Sequence, residues 1–276
     1  MRLVVLMLLA AGCGRISFDD PHDAAAALSY PATVLASDPF VYYRLDETND
    51  DPMALDATGH GRQEPFSTTN AGVVERGFAG ALMAPNEPGT AVHFDGTGNG
   101  GNDEGYLDLP DAQDDAVWAA LWSGDFTIEM FVQMLEPPTD RTLGLVVCED
   151  YHGDTDPPLP LGSGFRTGIG DESALRFWNT EASGATDIRS VSIDPNTWYH
   201  LVVVHDRTDV RFYINGVDRS PVGHAAADYV PPHDMSECGI GSFHGMPTHV
   251  VLDEIAFYQR ALDATDIARH FAASGR

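Results

Sequence analysis

The sequence contains no lysine, and this absence sets its electrostatic character. All 15 basic residues are arginines, against 42 aspartates and glutamates, and the formal net charge of the 276 residues is −27. A chain so short of positive charge repels phosphate backbones and anionic lipid headgroups, so we expect no nucleic acid among its partners. The surplus of carboxylates also suits hard cations such as Ca²⁺, although acidic surfaces most often serve solubility.

Long apolar runs are absent as well. No stretch approaches the roughly 18 apolar residues that a membrane-spanning helix needs. At the N-terminus, Arg2 precedes a short apolar core from residue 3 to residue 11, which is typical of an export signal. The segment Leu9-Ala10-Ala11-Gly12-Cys13 resembles the bacterial lipobox, in which small residues admit a peptidase and the cysteine receives a lipid. The alternatives are an ordinary signal peptide with an incidental cysteine, or a buried apolar strand.

The lipobox resemblance implies a lipoprotein whose residues 1–12 are the signal peptide and whose Cys13 carries the anchor. Residues 13–29 are then the lipidated N-terminus and a tether, because they lack a sustained apolar period. Removal of residues 1–12 leaves 14 arginines against 42 acidic residues, a net charge of −28. Gly14 stands where an aspartate would suggest retention in the inner membrane, so we expect the outer membrane. Contact with the membrane is expected only through the lipid.

Cysteine is scarce, with three residues in the whole chain. If Cys13 is lipidated, Cys148 and Cys238 remain as a pair in an oxidising compartment, which favours a disulfide between them. The alternative is two buried free thiols, which pack as small apolar residues.

From residue 30 onward, short strand patterns alternate with turns. Residues 126–133 alternate between an apolar face and a mainly polar one. Asn215-Gly216 lies between two alternating runs and predicts a tight hairpin with positive φ at both residues. Residues 111–122 and a C-terminal segment capped by Asp263 predict short helices. About ten to twelve strands with so few helices predict an all-β fold of two antiparallel sheets, a sandwich or jelly roll.

Seven short motifs in a fixed order resemble the LamG-like, concanavalin A-like jelly-roll superfamily. They include Tyr42-Tyr43-Arg44-Leu45-Asp46-Glu47, Phe94-Asp95-Gly96 and Leu252-Asp253-Glu254-Ile255; the others lie at residues 56–59, 125–129, 198–201 with 212–216, and 260–262. The resemblance implies one LamG-like domain over residues 30–276. It departs from the family at Phe131, where a tryptophan is common, and at residues 98–105 and 111–122, which look like insertions.

Asp253 is the most informative acidic residue. Simple alternation along its strand places it on the same face as Val251, Ile255 and Phe257, which predicts a carboxylate buried in the core. Such a carboxylate needs backbone N–H donors, an arginine or a metal. The family resemblance implies a structural calcium ion between the N-terminal loop and the last strand, and the matching positions are Asp56, or a loop carbonyl near Gly61, and Asp253. Backbone donors alone, or an arginine partner, remain the alternatives.

The outer face of the central strands is the second candidate site. The resemblance implies that one sheet of such domains binds sugars, with aromatic rings against the pyranose and charged groups against its hydroxyls. The matching residues are Glu129, Phe131, Arg211 and Tyr213. The alternative is a plain sheet face that loops cover.

Sequence patterns of catalysis are missing. There is no strand with the Glu-x-Asp-x-(x)-Glu spacing of glucanases, no zinc-binding His-Glu-x-x-His, no Gly-x-Ser-x-Gly and no phosphate loop. We therefore expect a protein that is not an enzyme, a cell-envelope module that binds a glycan or an envelope or extracellular protein. The alternatives are a structural domain of an envelope assembly, and a glycan hydrolase with an unrecognised site.

We predict that Cys13→Ser abolishes lipidation and moves the protein into the aqueous phase of a detergent partition. Stable anchoring needs more than one acyl chain, and Cys13 is where the chains would attach. Fatty-acid labelling of the expressed full chain measures the change directly. Cys238→Ser is the matched control and should keep its label; a labelled Cys13→Ser protein would contradict the prediction.

Overall fold

The computed structural model describes residues 28–83, 89–96, 104–110, 115–138, 142–150, 164–170, 172–179, 187–207, 209–221, 236–241 and 248–276. The predicted signal peptide, Cys13 and most of the predicted tether lie outside them.

The described chain forms short strands with three short helices. The helices are α1 (Tyr30–Leu35), α2 (Ala116–Trp122) and α3 (Ala264–Ala273). The strands are β1 (Val41–Tyr43), β2 (Met53–Ala54), β3 (Glu64–Thr69), β4 (Val73–Ala79), β5 (Thr90–Asp95), β6 (Glu104–Leu109), β7 (Phe126–Met134), β8 (Leu143–Asp150), β9 (Gly164–Ile169), β10 (Ala174–Asn179), β11 (Asp187–Ser192), β12 (Trp198–Asp206), β13 (Asp209–Ile214), β14 (Val217–Asp218), β15 (Ser236–Gly241) and β16 (His249–Tyr258).

These strands form two antiparallel sheets, which confirms the predicted fold class. The first sheet has the order β14-β13-β12-β7-β16-β5-β4, and β1 also pairs with β16. The second sheet has the order β11-β10-β9-β8-β15-β6-β3-β2. Strands that are neighbours in space are often distant in sequence, so the register of the last long strand, β16, depends on contacts with the N-terminal third of the chain.

The main core lies between the two sheets. On β7, the apolar face predicted from alternation points into it, with Phe126, Ile128, Met130 and Val132 all buried. Trp122 of α2 packs against Phe126 of the first sheet and Phe165 of the second, with ring centroids 5.3 and 5.1 Å apart. The segment that resembles an insertion therefore contributes a large side chain to the core instead of extending into solvent.

The disulfide expected from the cysteine count is present. Cys148 of β8 and Cys238 of β15 lie opposite each other in the second sheet and are bonded across 90 residues of sequence. Both side chains are fully buried. The bond links a strand near the middle of the chain to one near its end, which restricts the unfolded state.

The local patterns correctly predicted one helix cap and one hairpin turn, but they missed the first helix. Asp263 caps α3 by accepting from the backbone N–H groups of Thr265 and Asp266, as predicted. The hairpin residues Asn215 and Gly216 have φ of 51° and 72°, again as predicted. α1, capped by Ser29, was missed, because six residues carry too little periodicity to show a helix in sequence.

α1 and α3 pack against each other on the outer face of the first sheet, where a second apolar cluster forms. It joins Tyr30 and Ile267 from the helices to side chains of the sheet, among them Phe131 and Tyr213. Among the described residues, no helix is long and apolar enough to cross a membrane.

Candidate functional site

A buried carboxylate stands at the centre of the face that the two helices cover. Glu129 of β7 is fully buried, and four side chains surround it. Its Oε1 accepts from Tyr30 Oη at 3.1 Å and lies 2.7 Å from His200 Nε2. Its Oε2 accepts from Tyr258 Oη at 2.7 Å and lies 2.9 Å from His270 Nδ1.

The network keeps Glu129 ionised. Burial by itself would raise the pKa of this carboxyl group, but the hydrogen bonds and charges of His200 and His270 outweigh it and hold the pKa well below its usual range. Burial and the Glu129 charge raise the pKa values of Tyr30 and Tyr258, so both phenols stay protonated as donors. Both oxygens of Glu129 thus have partners in a network without access to solvent, while Nδ1 of His200 has no hydrogen-bond partner among the described residues.

The sheet face that was predicted to bind a ligand is covered. This matches the alternative considered for it, a covered sheet face, except that the cover consists of helices α1 and α3 and not of loops. Glu129 and Phe131 are fully buried, and Tyr213 is 4% exposed. Arg211, which shares this face near the sheet edge, pairs with Asp209 at 2.8 Å. The structure thus places all four residues on one face, but it leaves only Arg211 open to a ligand.

Asp253 is buried as predicted, but on the other face of its sheet. β16 has a register shift between Asp253 and Ala256, and Glu254 takes φ of 53°. Such a bulge adds one residue to the strand and inverts the alternation beyond it. Ile255 and Phe257 therefore point into the core between the sheets, whereas Asp253 pairs with Phe131 and points outward. The prediction of a face shared with Ile255 and Phe257 was wrong for this reason.

At this bulge, two consecutive carboxyl groups are buried. Asp253 Oδ2 accepts from Ala81 N–H at 2.7 Å, while its Oδ1 has no hydrogen-bond partner among the described residues. Glu254 accepts from the hydroxyl of Tyr42 and lies 3.4 Å from the Arg44 guanidinium. Burial and the charge of Glu254 raise the pKa of Asp253 well above its usual value, and burial raises the pKa of Glu254 to about 7.

Asp56, the predicted calcium partner of Asp253, organises its own loop instead. It accepts from the N–H and hydroxyl of Thr58 at 3.0 and 2.6 Å and from Arg62 N–H at 3.1 Å. Burial would raise the pKa of Asp56, but these hydrogen bonds outweigh it and lower the pKa. Tyr43 of β1 pairs with Asp56 on one side and with Ile255 of β16 on the other.

The described residues therefore do not fit a calcium ion shared by Asp56 and Asp253. β1 lies between the two residues, and the oxygens of Asp56 already accept hydrogen bonds from their own loop. Of the three satisfying groups considered for Asp253, one backbone donor is present, and the raised pKa of this carboxyl group favours its protonated form, which needs less compensation than a carboxylate.

A cleft of about 320 Å³ lies at the end of the first sheet where α1 leads into β1. Its lining is Asp38, Pro39, Phe40, His60, Arg62, Gln259 and Arg260. Pro39 and Phe40 are buried, whereas His60, Gln259 and Arg260 are exposed. Asp38 has φ of 55°, an uncommon backbone state for a residue other than glycine, in the turn that leads to the floor of the cleft.

Two guanidinium groups are held in place in this cleft. Arg62 lies 4.0 Å above the centroid of the Phe40 ring and donates to the Phe40 carbonyl oxygen. Arg260 Nη2 donates to the Ser37 carbonyl oxygen at 3.1 Å. Each guanidinium has five N–H donors, so these contacts orient the group and leave donors for a ligand. No sequence pattern indicated this cleft, because its lining comes from three segments that only the fold brings together.

A known protein family matches this chain. The family model described as the concanavalin A-like lectin/glucanases superfamily matches residues 99–268 of this chain. No curated protein matches the sequence.

Solved structures with a similar fold include an enzyme and binding domains. Trypanosoma rangeli sialidase in complex with sialic acid has a TM-score of 0.55 at 16% identity; the match covers 84% of this chain and 32% of that one. The binding domain of Paraclostridial Mosquitocidal Protein 1 has a TM-score of 0.57 at 14% identity, covering 86% and 52% of the two chains. A receptor binding domain reaches 0.59 at 15% identity, covering 89% and 53%. This chain thus spans about a third of the sialidase and half of each binding domain, and the likeness shows the fold alone.

We predict that Glu129→Gln lowers the free energy of unfolding by about 3–5 kcal/mol. The amide keeps the shape of the side chain but removes the charge that His200, His270 and two phenols surround, and breaking a buried polar pair from one side has this cost. Urea unfolding followed by tryptophan fluorescence measures it. Glu172→Gln, at an exposed position in the turn between β9 and β10, is the matched control. A Glu129→Gln protein with unchanged stability and weakened ligand binding would instead support the ligand role predicted for Glu129.

We predict that the acid pair destabilises the fold as pH rises. The folded state holds protons on Asp253 and Glu254 that the unfolded chain releases near pH 4–5, so their contribution is fully present below about pH 4.5 and is lost as pH rises through about 7. Asp253→Asn imitates the protonated form; its melting temperature should match the wild type at pH 5 and exceed it at pH 8.

Asp56→Asn is the control of opposite sign. Its carboxylate has a lowered pKa, so the substitution should lower the melting temperature at pH 8. If Asp253→Asn is instead less stable than the wild type at pH 8, the Asp253 carboxylate is ionised and compensated in the folded state, which contradicts the prediction.

The same melts with added CaCl₂ test the predicted calcium ion, because a bound ion would raise the wild-type melting temperature at pH 8 and leave that of Asp253→Asn unchanged.

Proposed function

The chain belongs to the concanavalin A-like lectin/glucanase superfamily, and from this membership we propose that it is a cell-envelope module that binds a carboxylated glycan without cleaving it. The observation that carries the proposal is the cleft in which Arg62 and Arg260 meet. Two guanidinium groups converge there on a chain whose formal net charge is −27. With two arginines against one aspartate, Asp38, the lining of the cleft carries a local excess of positive charge, which suits an anionic group.

The chemistry of the lining selects the ligand class. A guanidinium presents parallel N–H donors that match a carboxylate, and Arg62 is pre-oriented by its contact with Phe40. His60 and Gln259 add side chains that can bond to hydroxyl groups. A volume of about 320 Å³ is at the small end of ligand sites, which suits one sugar residue or the end of a chain.

We also propose that the protein does not cleave the glycan that it binds. Most glycosidases use two carboxyl groups at the scissile bond, and among the residues that line the cleft only Asp38 carries one. Glu129 is buried beneath helices, and the acid pair at Asp253 and Glu254 is buried as well.

The location of this activity rests on the sequence. We propose that Cys13 anchors the protein to the outer membrane and that the domain meets its ligand in the envelope or at the cell surface. The buried disulfide supports export, because disulfides persist in oxidising compartments. The alternative, a structural domain of an envelope assembly, has no specific described contact in its favour.

A glycan array with matched acidic and neutral oligosaccharides tests the proposal. Sialylated and uronic-acid glycans are suitable acidic probes, and we expect them to bind while their neutral counterparts do not. We expect Arg62→Gln and Arg260→Gln each to weaken binding about 10- to 100-fold, because a hydrogen bond to a charged group contributes about 1.5–3 kcal/mol and 1.4 kcal/mol corresponds to tenfold.

Arg207→Gln is the matched control, since its side chain is 81% exposed and lies outside the cleft. Melting temperatures of all three variants show whether each one folds. Equal binding of acidic and neutral glycans, or equal affinities for the three variants, would exclude the cleft. Release of a shortened glycan, lost in Asp38→Asn, would replace binding by hydrolysis.

A further inference from the structure

Two histidines and an aspartate converge on the outer face of the first sheet, far from the cleft. His93 and Asp95 are two residues apart on β5 and share a face, and His249 of β16 is paired directly with Asp95. One ligand atom of each residue lies within 4.8 Å of the other two. The His93 and His249 rings are 5.2 Å apart between centroids.

His93 is oriented as a metal-binding histidine is. Its Nδ1 lies 3.2 Å from Glu75 Oε2 on the neighbouring strand β4. A carboxylate that accepts from one ring nitrogen fixes the tautomer and leaves the lone pair on the other nitrogen for an ion. Phe78, also on β4, packs against the ring with centroids 5.2 Å apart, which restricts its rotation.

The other nitrogen of His93 is the independent observation. The residue is 7% exposed, and its Nε2 has no hydrogen-bond partner among the described residues. A buried polar atom without a partner loses its hydration without compensation, so such an atom calls for an explanation. Since Glu75 engages Nδ1 on the β4 side, Nε2 is the nitrogen left for a ligand shared with Asp95 and His249 on the opposite side.

We propose that His93, Asp95 and His249 form a site for a first-row divalent transition metal, with zinc as the ion that the donor set suits. Imidazole nitrogen suits zinc and its neighbours, whereas calcium and magnesium take oxygen ligands. The ligand atoms of a tetrahedral zinc ion are about 3.4 Å apart at bond lengths near 2.1 Å. Side-chain rotations that move these ligand atoms by about 1 Å therefore bring all three within bonding distance of one ion.

Three protein ligands leave the fourth position of a tetrahedral ion open. Asp95 and His249 are half-buried, so this position faces solvent and can take a water molecule or an oxygen of a ligand.

The site is separate from the cleft. His249 begins β16 and Gln259 follows its end, and ten residues of strand span roughly 33 Å.

Titration calorimetry of the metal-free protein with ZnCl₂ tests the site. We expect one zinc ion per chain with a dissociation constant in the micromolar range or below, and a loss of affinity of at least about 100-fold in Asp95→Asn and in His249→Gln. Glu75→Gln should weaken binding about 10- to 100-fold, as is usual when the partner of a ligating histidine is lost. Glu172→Gln, exposed in the turn between β9 and β10, should bind as the wild type does.

Substitution with Co²⁺ adds a readout that a merely structural role would not change. A site with two imidazoles gives visible absorption bands for the bound ion, and these should disappear in His249→Gln while a millimolar excess of Ca²⁺ leaves them unchanged. Thermal melts of the metal-free variants establish whether each one folds. If His249→Gln does not fold, Glu75→Gln still tests the site, because the Glu75 side chain is 55% exposed and its substitution should not disturb the fold. No zinc binding, or equal binding by wild type, Asp95→Asn and Glu75→Gln, would overturn the proposal.

Discussion

The buried charge of Glu129 is the constraint on which the arrangement of the domain depends. A carboxylate without solvent is tolerated only where donors compensate for its lost hydration, and here they come from four elements. Tyr30 of α1, His200 of β12, Tyr258 of β16 and His270 of α3 converge on one side chain of β7. The first and last described helices are thereby tied to the middle of the first sheet, and His270 extends the network to Ser37 at 2.8 Å.

This network also explains why the sheet face that resembles a sugar-binding surface is closed here. Two of the four donors to Glu129, Tyr30 and His270, are carried by helices, so satisfying the charge brings α1 and α3 onto the face. Phe131 and Tyr213 then fill an apolar cluster beneath them. A face with an aromatic ring beside a carboxylate has the composition of a ligand site, but it equally has the composition of a buried polar network, and only the position of the helices distinguishes the two.

The bulge in β16 is the second organising feature. Before it, β16 pairs with β5, and beyond it with β1, while β7 accompanies both halves. Asp253 and Glu254 lie where the neighbour changes, and they contact Ala81, Tyr42 and Arg44. The two candidate binding sites lie at opposite ends of the same strand, the His93 cluster at its start and the arginine cleft beyond its end.

Some features follow from the sequence alone because they depend on neighbouring residues. The alternation of β7, the hairpin at Asn215-Gly216, the cap at Asp263 and the two-sheet class are all consequences of local periodicity or turn chemistry. The pairing of Cys148 with Cys238 followed from counting the cysteines left after Cys13. The outward position of Asp253 was decided only by the tertiary structure, because a single extra residue in β16 inverts its alternation. The burial of Glu129 under α1 and α3, the meeting of Arg62 with Arg260 and the approach of His249 to His93 are likewise tertiary. In each, the partners lie 70 or more residues apart, and the register between distant strands, which no local pattern records, sets their distance.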